Sequence, residues 1–227
     1  MPPPETAAAT LSYLQTEIEG INAVQAPPVL GFLVEREGAR AAGAEPRAAE
    51  ELLVVESEEG IDVGLFLDDD VLSAASAAAA HRGRPRLLAR PGREGIASAA
   101  EGVSHFVYLV TRAGAGQRVS LLELEVQAEV DKFALFLLRA WRGGRRRSAR
   151  FSAGLRRRLF EEVHFLAHLD EAELVRYRTA NRLAAGYARW LELRFVTCGD
   201  RDGLLRELRA TYRLGTADKP GYLASRN

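Results

Sequence analysis

The chain has 227 residues, enough for one large domain or two small ones with a sizeable core. Its single cysteine, Cys198, excludes an internal disulfide and any multi-cysteine zinc site, and no apolar run approaches the ~20 residues that a membrane-spanning helix needs. Lys+Arg and Asp+Glu balance at 31 each, but unevenly along the chain: residues 1–80 carry 15 acids against 3 arginines, net −12, and the remainder is net +12.

Residues 1–9, MPPPETAAA, carry no signal-peptide pattern and read as disordered, so a cytoplasmic location is expected. Thr10 is a candidate N-cap for a helix with Leu11, Leu14, Ile18 and Ile21 on one face. Pro27 and Pro28 end it, and VLGFLVERE follows as a strand. ELLVVES and IDVGLFLDDD flank Glu58, Glu59 and Gly60, which predicts a hairpin with Ile61, Val63, Leu65 and Leu67 alternating on one face. The sheet expected from these runs is small, antiparallel and about three-stranded. Asp68, Asp69 and Asp70 then stand where a helix start favours negative charge.

Residues 82–96 hold two prolines, three glycines and five arginines and read as a linker or exposed loop. It separates an acidic α+β part, residues 10–81, from a basic helical part, residues 97–227. Ser98 with Glu101, and Ser120 with Glu123, both match the capping box, in which a hydroxyl and a carboxylate satisfy orphan N–H groups at a helix start. They predict two helices within residues 98–140, broken at Gly114 and Gly116. On the second, Leu122, Val126, Val130, Phe133 and Leu137 form an apolar stripe beside the polar row Glu123, Gln127 and Asp131. That row reads as a solvated face or as a seam answering the arginines. Further helices are expected from about Ser152 to His168, from Asp170 and Glu173 to about Phe195, and around Leu204, Leu205, Leu208 and Tyr212 with Gly215 as the stop. The fold class is therefore α+β, with a predominantly helical C-terminal part.

Three constellations could carry function. Glu161, His164 and His168 share a helix face at metal-ligand spacing, and His105, four residues after Glu101, could join them in a mixed N/O site for a divalent transition metal. Phe165 stands where a zinc protease has its general base, so the pattern predicts no hydrolase of that class. Arg142, Arg145, Arg146, Arg147, Arg150, Arg156, Arg157 and Arg158 could bind phosphate, nucleic acid or an acidic protein surface, although few aromatics lie among them to stack on bases. Of the basic residues only Lys132 and Lys219 are lysine, and this arginine and alanine bias points to a GC-rich bacterial genome rather than to selected guanidinium chemistry. No phosphate-binding glycine loop, nucleophile elbow or ordered catalytic set is present, so no resident cofactor is expected. The expected function is non-catalytic: an interaction or regulatory module, self-associating or bound to a protein partner through its opposed charges. A metal-dependent enzyme and a nucleic-acid binder are the alternatives.

Overall fold

The computed structural model describes residues 3–41, 43, 45–57, 60–78, 93–142, 149–163 and 169–226. It divides into two units, Met1–Glu19 with Gln25–Val110, and Gly20–Val24 with Thr111–Asn227. The breaks fall at Glu19/Gly20 and Val110/Thr111, each inside a helix, and at Val24/Gln25 in an irregular segment; residues 82–92 lie outside the described residues. The first unit holds 8 basic and 17 acidic residues, net −9, and the second is net +9.

In the first unit, helix α1 (Glu5–Asn22) begins before the expected cap, so residues 5–9 are helical and Thr10 lies inside the helix. Its hydroxyl bonds instead to the Ala75 carbonyl at 2.8 Å, on α3 (Asp69–Ala78). Ala7, Leu11, Leu14 and Ile18 are buried, the stripe the sequence predicts. After Pro28 a single 3₁₀ turn (Val29–Phe32) leaves only Leu33–Val34 as strand β1, followed by the short helix α2 (Arg36–Ala41). Strands β2 (Glu50–Ser57) and β3 (Gly60–Leu67) form the predicted antiparallel hairpin.

The sheet is nonetheless mixed, in the order β1-β3-β2, because β1 pairs with β3 in parallel, Leu33 opposite Leu65 and Val34 opposite Phe66. Alternation of side chains reveals a strand but not the direction of its neighbour. The 25 residues between Val34 and Gly60 are long enough for the crossover that parallel pairing requires. The expected one-sided alternation on β3 also fails: Gly64, Leu65, Phe66 and Leu67 are all buried, whereas Gly60, Ile61 and Asp62 are all exposed. The hairpin is thus sunk into the core at one end and bare on both faces at the other.

Asp68 caps α3 by accepting from the Val71 N–H at 2.9 Å, as its position predicts. Helix α4 (Arg93–Gly114) starts before Ser98, so the Ser98–Glu101 pattern is mid-helix and not a cap. Near its start α4 lies close against α3, where a Cβ at Gly95 would overlap the Cβ of Ala74. Gly95→Ala should therefore destabilise the protein by about 1–3 kcal/mol, read as a lowered urea midpoint, although alanine is the better helix former. An unchanged or raised midpoint would contradict this packing.

In the second unit, α5 (Leu121–Ala140) begins with the predicted capping box. Ser120 Oγ accepts from the Glu123 N–H at 3.3 Å, and the Glu123 carboxylate accepts from the Ser120 N–H at 2.9 Å. Gly114 ends α4 and Gly116, at φ +68°, turns the chain toward α5. Helix α6 (Ala149–Arg156) closes in a π turn (Arg157–Glu161), so the single helix expected from Ser152 to His168 is not continuous. Helix α7 (Glu171–Leu191) carries the predicted Asp170–Glu173 capping box and ends in a second π turn (Glu192–Val196). It packs along α5, and its buried Ala180, Ala184 and Ala188 keep it narrow. Helices α8 (Arg201–Tyr212) and α9 (Lys219–Ala224) complete the unit.

Two arginines close helix ends. Arg112 donates to the Arg213 and Leu214 carbonyls after α8, and Arg209 donates to the Gly20 and Ile21 carbonyls at the end of α1.

Candidate functional site

His105 is the one imidazole of the predicted set that lies among the described residues; His164 and His168 fall outside them. It is buried, 6% exposed, on α4. Its neighbour at the sheet is Glu50, first residue of β2, whose Oε2 lies 3.5 Å from the His105 Nδ1. Glu101, one turn earlier on α4, brings a carboxylate oxygen within 4.8 Å of an imidazole nitrogen of His105. Between them on the helix, Gly102 makes room, since a Cβ there would stand 3.0 Å from Glu50 Oε2 and 3.0 Å from Leu65 Cδ1. Each carboxylate thus approaches the imidazole, but the three side chains do not come together as one ligand set. Glu161 belongs to the second unit, where Arg156 holds its carboxylate at 2.8 Å.

Of the arginine cluster, Arg145, Arg146 and Arg147 lie outside the described residues, and Arg142 and Arg150 are exposed. Arg156 pairs with Glu161 and Arg157 with Glu162 at 3.1 Å, so their carboxylate partners come from the same segment. Asn181, singled out by its place on the apolar side of α7, donates to the Phe160 carbonyl at 3.1 Å, which ties α7 to the π turn after α6.

The polar row on α5 is not solvated: it is buried and bonded to distant parts of the second unit. Asp131, 1% exposed, accepts from Asn22 Nδ2 and from Gln127 Nε2, both at 2.9 Å. Gln127 Oε1 accepts from Lys219 Nζ at 2.9 Å, and the Glu123 carboxylate accepts from the Thr216 hydroxyl. Glu125 faces Arg176 at 3.6 Å. Burial pushes the Lys219 ammonium down to about 7, against the pull of Glu123 and Asp131 and with the repulsion of Arg112. With 1% exposure, this amine is a structural group that changes charge near neutrality rather than a nucleophile open to substrate.

A second hydroxyl cluster surrounds Glu207 on α8. Its Oε1 accepts from Tyr187 at 3.1 Å, from Tyr222 at 2.7 Å and from Thr211 at 3.2 Å. Burial holds the Tyr187 and Tyr212 phenols well above the usual range.

At the sheet, β2 is one of the two edge strands. Val54 and Val55, which point to opposite faces, are 42% and 45% exposed, and Ile61 on β3 is 49% exposed. Valines so exposed on a strand edge are a template for pairing with another strand.

No family model, curated protein or solved structure matches the chain. Its function is therefore to be read from its own geometry.

Two of these features had no direct signal. Glu50 sits in an ordinary strand pattern, and nothing local shows that it meets an imidazole 55 positions later. Lys219 had an indirect one: in a chain whose other basic residues are all arginine, the two lysines, Lys132 and Lys219, are 7% and 1% exposed. A buried cation that can shed its proton must be lysine, because arginine stays charged.

Proposed function

We propose that the protein is a non-catalytic interaction module of a bacterial cytosol, which pairs with a second copy of itself along the open edge of β2. The observation that carries this reading is the exposure of three large apolar side chains, Val54, Val55 and Ile61, toward the outer end of the hairpin, two of them on an edge strand. Antiparallel pairing of β2 with β2 about a two-fold axis at Val54 sets Leu53 of one copy opposite Val55 of the other and Leu52 opposite Glu56. Between residues 51 and 57 no two carboxylates then stand directly opposite one another. The result is a six-stranded sheet in which the bare edge is consumed.

Opposed charges between an acidic and a basic unit offer another route to the same self-association, and salt separates the two. Edge pairing rests on main-chain hydrogen bonds and apolar burial, and the acids at both ends of β2 oppose it, so it should persist or strengthen at roughly 1 M salt, where screening acts beyond about 3 Å. Charge pairing should dissolve there.

Light scattering should give twice the chain mass of 24.9 kDa at both low and high salt. Val55→Asp, at an exposed position, should return the protein to a monomer whose circular dichroism spectrum is unchanged. A monomer at every salt concentration, or a dimer that Val55→Asp leaves intact, would overturn the edge model. The nucleic-acid reading has less support, because Arg156 and Arg157 are already paired with Glu161 and Glu162.

A further inference from the structure

We propose that Trp190 and Tyr222, backed by Glu207, form a recognition site for a quaternary ammonium group, a site whose occupant here is the chain's own Arg226. It lies wholly in the second unit and does not depend on the pairing of β2. Tyr187 and Trp190, three apart on α7, share a helix face, and their rings stack with centroids 5.9 Å apart. Phe195, in the π turn that follows, meets Trp190 edge-on at 5.6 Å, so the indole is braced by two rings.

The second wall comes from α9. Its helical turn continues past Ala224, since the Arg226 N–H donates to the Leu223 carbonyl at 3.1 Å, which sets Arg226 four residues after Tyr222 on the same face. The guanidinium carbon lies 4.9 Å from the centre of the Trp190 ring and 4.7 Å from that of Tyr222. Both distances fall inside the ~6 Å over which a cation is drawn to a π face. A carboxylate stands behind the phenol: Arg226 Nη2 donates to the Tyr222 hydroxyl at 3.3 Å, and that hydroxyl donates to Glu207 Oε1 at 2.7 Å. Two π faces backed by an anion are the elements that recognise an alkylated ammonium.

Arg226 fills this site imperfectly. Among the described residues it makes no ion pair, so two rings and one phenol hold it. Its Nε is buried without a hydrogen-bond partner, and a donor stranded in this way destabilises the occupant. A quaternary ammonium has no N–H, so it meets the same π faces and strands nothing. Trp190, Tyr222 and Arg226 are half-buried, which leaves a path from solvent for exchange.

The test uses the full chain, with tetramethylammonium chloride as the probe and calorimetry as the readout, against matched sodium chloride. Arg226→Ala and Arg226→Gln each remove the resident cation and should bind the probe saturably, at least about tenfold more tightly than the wild type. Trp190→Leu or Tyr222→Leu, placed on either variant and shown by circular dichroism to be folded, should abolish that binding. Choline chloride and a peptide carrying trimethyllysine then separate the sources of the group, a free amine in the first case and a modified protein in the second. If neither Arg226 variant binds tetramethylammonium more tightly than the wild type, or if the ring substitutions leave its binding unchanged, the site does not exist.

Discussion

Urea midpoints of the intact chain should rise as pH is taken from 7 toward 10 and fall again beyond it. Lys219 is the cause of the rise. Buried, it loses its proton at about 7, whereas the same side chain in the unfolded chain keeps it to about 10.5. Between those values the unfolded state binds more protons, so stability increases with pH; below about 7 both states are protonated and the full cost of burying the ammonium is felt. A displacement of this size corresponds to roughly 4–5 kcal/mol across the window. Above about 10 the tyrosines act in the opposite sense. Tyr187 and Tyr212 stay protonated when folded but ionise when unfolded, so stability falls from pH 10 upward. Lys219→Met should flatten the rising limb and leave the falling one. A rising limb of unchanged slope in that variant would show that Lys219 does not titrate as its surroundings imply.

Asp131→Ala should be the most damaging single change in the second unit, costing about 3–5 kcal/mol, measured as a loss of melting temperature. It strips the shared acceptor from Asn22 and Gln127, and neither amide can reach water from where it lies. Asp131 also supports the ammonium of Lys219, so its removal should push the Lys219 proton equilibrium below about 7 and shift the rising limb to lower pH. Asp131→Asn keeps one acceptor and should lose less. Equal losses for the alanine and asparagine variants would mean that the acceptor kept by asparagine carries no weight and that the charge of Asp131 accounts for the whole loss.

Legibility in the sequence followed the range over which each interaction acts. The caps at Ser120 and Asp170 could be read because both partners of each lie within three residues. The same pattern at Ser98 misled, because α4 already begins at Arg93 and the two residues lie inside it. The hairpin was legible from its turn, but β1 carries no mark of being parallel. The polar row on α5 looked amphipathic since periodicity reports a polar face without saying what covers it. Its covers are Asn22, 109 residues from Asp131, and Lys219, 92 residues from Gln127. Of the candidate metal ligands, His105 and Glu101 were visible through their spacing of four, while the approach of Glu50 to His105 showed only when the strand was laid against the helix.

The grip of Arg209 on the carbonyls of Ile21 and Gly20 spans 188 and 189 residues respectively. During translation, α1 can settle against α3 as soon as about eighty residues have left the ribosome, but the last turn of α1 must wait for α8. The second unit is therefore completed only once residue 209 has been made, and a ribosome stalled before codon 209 should leave a nascent chain whose helix α1 is anchored at one end and frayed at the other.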